Sequence, residues 1–168
     1  MGTGVARAQH PRPQPRRRLR TFGGLLRLGG PYLAFLALRH VVSLERLARM
    51  AWRDPASHTR DQELEARTIA EATKLRHLLD RTDRRCLPRS LALYRALSRA
   101  GASPQLWIGF RKVAGRVDGH AWVTVDGRPV GEAEALMPSL TPTCGFGVKG
   151  ATIALEGGME MATSGRDR

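Results

Sequence analysis

Cys86 has the best placement for nucleophilic chemistry in this sequence. It lies where a helix is predicted to begin, and the unpaired N–H groups and positive dipole end of a helix N-terminus lower the pKa of a thiol. Arg84 and Arg85 precede it and would favour the thiolate further. A lone Cys beside Leu87 is also typical of a small buried hydrophobic residue, so position alone leaves two interpretations. The other cysteine, Cys144, lies in TPTCGFG, which offers no base and no helix start.

His120 supplies the base that a reactive thiol needs. It opens a predicted strand, and the alternation of that strand places Trp122 and Thr124 on the same face as the imidazole. A helix packed on such a strand lets the imidazole take the thiol proton. A single His on a strand is usually structural, but a Cys at a helix start together with a His at a strand start is a much rarer coincidence. The pair therefore predicts nucleophilic catalysis.

Glu132 is the candidate for a carboxylate that orients the imidazole. A hairpin loop of three residues, 125–127, places His120 directly opposite Glu132, with roughly 5 Å between Cβ atoms. A loop of two residues instead places Glu132 opposite Ala121, on the wrong face of the strand. The sequence permits both loops. We favour the first because it completes a Cys–His–acid triad.

Two aspartates that are close to His120 in the sequence are weaker candidates for the third member of the triad. The three-residue loop would also bury Trp122 against Val130 on the face of the strand that carries His120. Asp118 lies on the same face, so Asp118 is the reserve candidate for the third member of the triad. Asp126 is excluded, since six strand residues at about 3.3 Å each leave it roughly 20 Å from His120.

The first predicted helix is also a candidate docking surface. It is expected to begin near Pro31, a residue suited to a first helical turn, and to end at the Asp54-Pro55 pair. Its apolar positions follow a spacing of three and four: Leu33, Leu36, Ala37, Val41, Leu44, Ala48 and Trp52. Tyr32, Phe35 and Leu38 lie off that face. If exposed, they would form a patch for a partner protein or, as the weaker option, an anionic membrane surface.

Two further helices are predicted before residue 102. The second begins at Thr59 and Gln62, which have the spacing of a capping box, and its buried stripe continues to Leu79. The third begins at Cys86 and ends at Gly101, because glycine is common just past a helix C-terminus.

The pattern changes from helical to alternating after Gly101. Residues 105–113, 119–125 and 128–134 are predicted as three strands, with at best one more near residues 148–155. Helices first and strands second predict an α+β fold, with N-terminal helices packed on a small antiparallel sheet.

Composition limits the remaining function classes. The chain of 168 residues carries a net charge of +13, but six arginines and no acid fall in residues 1–20, which we expect to be a disordered basic tail. With 5% aromatic residues and no binding motif, we expect no nucleic-acid partner. Residues 28–38 are too short to cross a membrane. Two cysteines suit neither a disulfide scaffold nor a Cys-rich zinc site, so we expect a reducing, cytoplasmic setting.

The segments that carry these residues resemble a known family. CLPRSLALYRALSRAG at residues 86–101, WIGFRK at 107–112 and GHAWVTVDGRPVGE at 119–132 are similar to the lasso-peptide leader peptidases, which are transglutaminase-like cysteine proteases. The resemblance covers roughly residues 64–134. It implies a transglutaminase/papain-like fold and a triad of Cys86, His120 and an acid. The acid is usually Asp in that family, so Glu132 departs from the pattern.

The resemblance also implies a function and partners. It implies an endopeptidase that removes the leader of a ribosomally made lasso precursor peptide, with no cofactor or metal. An ATP-dependent macrolactam synthetase then uses the exposed amine. Some relatives carry a recognition module that begins with β-strands, and residues 1–100 have no strand pattern, so a separate leader-recognition protein is expected. The implied domains are residues 21–58, a helical region, residues 59–155, the protease domain, and residues 156–168, a flexible C-terminus.

Two other functions fit the same residues. The chain could be a non-catalytic peptide-binding or scaffold protein of the same complex, with Cys86 merely part of the core. The triad could also transfer the acyl group to an amine rather than to water, since the sequence does not distinguish acyl acceptors. Alkylation of Cys86 that depends on His120 would exclude the scaffold.

Overall fold

Helices and strands are segregated along the chain, as the sequence predicts. Within residues 16–55, 59–79 and 85–155, which the computed structural model describes, four α-helices precede a five-stranded antiparallel sheet. The helices are α1 (Arg16–Leu38), α2 (Leu44–Ala51), α3 (Gln62–Leu79) and α4 (Cys86–Arg99). The strands are β1 (Gln105–Val113), β2 (Arg116–Val125), β3 (Arg128–Val130), β4 (Thr141–Phe146) and β5 (Thr152–Ile153). Their order in the sheet is β3-β2-β1-β4-β5. The α+β prediction is confirmed.

The predicted first helix is two helices, and its predicted start is wrong. α1 runs through Pro31, which lacks the N–H that a mid-helix residue donates, and the helix ends at Leu38. A turn that reaches Ser43 separates it from α2. Residues 16–20 belong to α1 rather than to the expected basic tail, because arginine is a good helix former. Residues 1–15 of that tail and the expected flexible residues 156–168 lie outside the described residues.

The buried stripe of α1 differs from the predicted one. Leu28, Tyr32 and Phe35 follow a spacing of four and three and are buried, Phe35 to 4% exposure. Leu33 and Val41, which the sequence placed on the core face, are 62% and 79% exposed. The expected docking patch is therefore wrong, since two of its members belong to the core. The helix is apolar on more than one side, so spacing alone did not fix its face.

The hairpin between β2 and β3 has the two-residue loop that we did not favour. Val125 pairs with Arg128, and Val123 pairs with Val130, so the loop is Asp126-Gly127. Both loop residues have positive φ, 51° and 75°, the pattern of a type I′ turn, which suits Asn-Gly and Asp-Gly. The predicted pairing of Trp122 with Val130 is wrong, because Val130 shares a face with Val123.

The chain leaves the sheet directly after this hairpin. β3 ends at Val130, four residues before the predicted end, and Gly131 has a φ of 72° that turns the backbone away. Since β4 pairs with β1 on its far side, the connection crosses both β2 and β1. β4 was not predicted, and of residues 148–155 only Thr152 and Ile153 are strand.

Helix α4 is the centre of the core. Its residues 88–94 are all buried, and Leu91, Tyr94 and Leu97 have no measurable exposure. The Ser90 hydroxyl donates a 2.8 Å hydrogen bond to the carbonyl oxygen of Ala121 on β2. This contact fixes where α4 lies along β2, and with it the position of the helix N-terminus. None of the helices in the described ranges has the length and apolar character to span a membrane.

Candidate active site

Cys86 is the first residue of α4, as the sequence predicts. The preceding residue, Arg85, makes no side-chain capping hydrogen bond, and Pro88 has no N–H to offer in the first turn. The open backbone donors at this helix end therefore include the amide of Cys86 itself. The Sγ atom lies 4.0 Å from the carbonyl oxygen of Gly119 on β2. The N-terminus of α4 is thus held against the strand that carries His120.

At Ala121, the edge of β2 is not covered by β3 and contacts α4. In the described sheet, β3 pairs with residues 123–125 of β2 and ends before Ala121. The backbone of Ala121 contacts α4 instead: its carbonyl accepts the Ser90 hydroxyl, and its amide hydrogen-bonds to the sulfur of Cys86. His120, next to Ala121, interacts with Cys86 and lowers the pKa of its thiol. The short β3 is therefore what lets thiol and imidazole meet.

Glu132 contacts His120, although not by the pairing that the sequence analysis favoured. The Nε2 atom of His120 lies 3.3 Å from Oε2 of Glu132. The two-residue loop would have placed Glu132 on the wrong face if β3 continued. Gly131 ends the alternation, so the side chain of Glu132 can turn towards the imidazole. Because Nε2 faces Glu132, Nδ1 is the ring nitrogen that remains for Cys86.

The electrostatic environment favours the Cys86 thiolate and the His120 imidazolium. Burial alone would raise the pKa of the Cys86 thiol, but the hydrogen bonds from His120 and Ala121 and the charges of His120 and Arg89 hold that pKa below its ordinary value. Burial alone would lower the pKa of His120, yet its hydrogen bonds and charge interactions with Cys86 and Glu132 raise the pKa to about 9. These opposite shifts favour transfer of the thiol proton to the imidazole, so that the pair is a thiolate and an imidazolium.

The other acidic candidates are bound elsewhere. Asp118 accepts a 2.8 Å hydrogen bond from Arg111, its partner across β1 and β2. Asp126 lies at the hairpin tip, where its carboxylate is 2.9 Å from the guanidinium of Arg60. Of the three carboxylates considered from the sequence, Glu132 is the one with a hydrogen bond to His120 in the described residues.

Cys144 has none of these features. It is half-buried on β4, opposite Ile108 of β1, and burial raises the pKa of its thiol. The two cysteines therefore differ in the direction of their pKa shifts, as the expectation of an unreactive Cys144 requires. The described residues contain no cluster of three or more His, Cys, Asp or Glu side chains suited to a metal ion.

Arg89 is the functional candidate that the sequence analysis missed. It lies one helical turn after Cys86, and its guanidinium donates a 2.5 Å hydrogen bond to Oε1 of Glu132. The Glu132 carboxylate therefore bridges Arg89 and His120, one oxygen to each. The available signal was a charged residue inside LPRSLALY, a segment otherwise suited to the core, because a buried charge needs a partner.

Comparison with known proteins gives one match. A family model described as the Transglutaminase-like superfamily matches residues 31–144, which is more than half of the chain and includes Cys86, His120 and Glu132. No curated protein and no solved structure gives a significant match.

Proposed function

Because this chain belongs to the transglutaminase-like superfamily, we propose that it is a cysteine endopeptidase with a catalytic triad of Cys86, His120 and Glu132. The observation that carries the proposal is a buried imidazole that contacts Glu132 and lowers the pKa of a thiol at a helix N-terminus. A non-catalytic scaffold is the weaker proposal, since it gives no reason for a buried imidazole between a thiol and a carboxylate.

The proposed reaction follows from the protonation states of the pair. The Cys86 thiolate attacks the scissile carbonyl carbon and forms a tetrahedral intermediate, whose oxyanion is bound by the backbone amide of Cys86. The imidazolium of His120 gives its proton to the departing amine, and the C–N bond breaks to leave a thioester. His120 then removes a proton from water, which attacks the thioester and releases a carboxylic acid. Glu132 holds the ring orientation throughout.

The proposed substrate is the leader segment of a ribosomally made lasso precursor peptide. The support is the resemblance of residues 86–101 and 119–132 to lasso-peptide leader peptidases, together with the superfamily match. Cleavage would expose the first amine of the core peptide. The partners would be a separate leader-recognition protein and an ATP-dependent macrolactam synthetase that joins this amine to an acidic side chain.

The decisive experiment is incubation with a candidate precursor peptide, read by mass spectrometry. A precursor encoded beside this chain should yield two fragments whose masses sum to the precursor plus one water. Cys86→Ala should yield none, and Cys144→Ala should match the parent. Added primary amine tests transamidation, because an amine adduct on the leader fragment would show that water is not the preferred acceptor. No product with any precursor, while Cys86 remains unreactive towards alkylating agents, would contradict the enzymatic assignment.

A further inference from the structure

The Arg89–Glu132 ion pair is buried and belongs to the same cluster as the reactive thiol. Their side chains are 10% and 5% exposed, and the shortest N–O distance is 2.5 Å. A buried charge is retained only where it is paired and hydrogen-bonded. Arg89 is thus needed to keep a carboxylate in this position. Its location on α4, the helix that also begins with Cys86, links that carboxylate to the nucleophile.

The charges of the cluster balance only when Arg89 is included. In the reactive state, Cys86 and Glu132 are negative and His120 is positive, which leaves one excess negative charge in a buried site. The positive charge of Arg89 cancels it. Among the described residues, the charged groups that act on Cys86 are His120 and Arg89, and those that act on His120 are Glu132 and Cys86. Without Arg89, the simplest way to remove the excess charge is to protonate the thiolate.

We propose that Arg89 is a positioning residue, which binds Glu132 for its contact with His120 and balances the charge of the Cys86 thiolate. The inference rests on the proposed function only in taking the Cys86 thiolate as the catalytic nucleophile. Its test needs no peptide substrate, because the thiolate of Cys86 can be measured by alkylation. Arg89 acts through its hydrogen bond to Oε1 of Glu132 and through its charge, and these two effects predict different results for different substitutions.

The experiment measures the rate of iodoacetamide alkylation against pH in a Cys144→Ala background, where Cys86 is the remaining thiol. Arg89→Met keeps an unbranched, apolar stem and removes the charge. We expect its profile to rise at a pH about one unit higher, with alkylation about ten-fold slower below the midpoint. Arg89→Lys keeps the charge, so its alkylation profile should stay near that of the parent. Lysine lacks the planar guanidinium, so peptide turnover should nevertheless fall.

The matched control is Arg60→Met. Arg60 binds Glu65 and Asp126 at the hairpin that follows β2, so its loss should leave the Cys86 profile unchanged. An Arg89→Met profile equal to that of the parent would overturn the proposal. An equal shift in Arg60→Met would do the same, because the effect would then reflect net charge alone.

Two further variants keep the test decisive. If circular dichroism shows that Arg89→Met does not fold, Arg89→Met with Glu132→Gln removes both buried charges together and is compared with Glu132→Gln alone. The double variant should still require a higher pH for alkylation, and an identical profile would reject the role of Arg89. His120→Ala separates the two proposals. Alkylation that is independent of His120 rejects the catalytic function, whereas dependence on His120 without dependence on Arg89 rejects only this inference.

Discussion

Two ion pairs of the same chemistry lie beside β2 in different surroundings. Next to His120, in the middle of the strand, Arg89 binds Glu132, and both side chains are at most 10% exposed. At the hairpin after the strand, Arg60 binds Asp126, with exposures of 36% and 64%. Each pair is an arginine from the helical half of the chain and an acid from the strand half. They therefore separate the effect of burial from the effect of pairing.

Burial decides what each pair does. Exposed ion pairs contribute about 0–1 kcal/mol because water screens them and two long side chains must be ordered. Breaking a buried pair is expected to cost about 3–5 kcal/mol, since the remaining charge is left without a partner in a poorly solvated site. The buried pair also has His120 in contact and a thiol within one helical turn. The exposed pair connects Asp126 to the residues that precede α3.

The largest predicted effect is the loss of cleavage in Cys86→Ala. Removal of the sulfur removes the nucleophile, so turnover of a precursor peptide should fall to the background rate while the circular dichroism spectrum is unchanged. Cys144→Ala is the control and should retain turnover. Cleavage by a folded Cys86→Ala protein, or an equal loss in the Cys144 variant, would show that the reactive thiol was misidentified.

The next largest effect is expected for Glu132→Gln. The amide keeps the shape of the side chain but removes the charge that orients and stabilises the imidazolium, so kcat should fall by orders of magnitude, up to about 10⁴ as for the orienting Asp of serine proteases. Asp118→Asn is the control, because Asp118 binds Arg111 rather than His120. A larger loss of kcat in Asp118→Asn than in Glu132→Gln would assign the third position to Asp118.

The candidate site was predictable as far as local patterns determine it. The start of α4 at Cys86 and both ends of β1 follow from residue types and spacing. The Asp-Gly turn is a strong local signal for a two-residue loop, and the preference for completing a triad led us away from it. Glu132 reaches His120 because Gly131 ends the alternation, a break that strand periodicity does not encode.

Long-range features were less accessible from the sequence. The crossing from β3 to β4 depends on which strands become neighbours, and TPTCGFG carries little strand pattern. The role of Arg89 depends on a contact across 43 positions of sequence. The buried face of α1 was misassigned because Leu33 and Phe35 lie on different sides of a helix that is apolar on both. These features require the tertiary structure.

The pH dependence of cleavage should show the same difference between the buried and the exposed ion pair. The raised pKa of His120, about 9, keeps the imidazolium able to protonate the leaving amine, and the lowered pKa of Cys86 extends the thiolate to lower pH. We expect kcat/KM to be bell-shaped, falling about ten-fold per unit above about pH 9. Glu132→Gln should move the upper limb to lower pH, because Glu132 helps to raise the His120 pKa. Asp126→Asn should leave both limbs in place.

Two glycines, one beside the acid of each ion pair, provide a matched comparison of the two pairs. Gly131 and Gly127 have similar positive φ values, 72° and 75°, so alanine at either costs about 1–2 kcal/mol of backbone strain. A Cβ atom at Gly127 meets nothing within 4 Å, whereas one at Gly131 comes within 3.2 Å of the Leu93 side chain. Gly131→Ala should therefore also displace Glu132 and reduce kcat about ten-fold, if misplacement costs roughly 1.4 kcal/mol in the transition state. Equal kcat values for the two folded variants would contradict this.

The smallest effect is expected for Asp126→Asn in the exposed ion pair. The amide can still accept a hydrogen bond from Arg60, and Arg60 also retains Glu65, with an N–O distance of 2.8 Å. Loss of one charge in a largely exposed pair should lower the free energy of unfolding by less than about 1 kcal/mol. Turnover should stay within about two-fold, since a strand of six residues separates Asp126 from His120 by roughly 20 Å. Urea denaturation and precursor cleavage measure the two quantities. A loss of turnover comparable to that of Glu132→Gln would mean that the hairpin tip is coupled to the thiol, and that the two ion pairs are not independent.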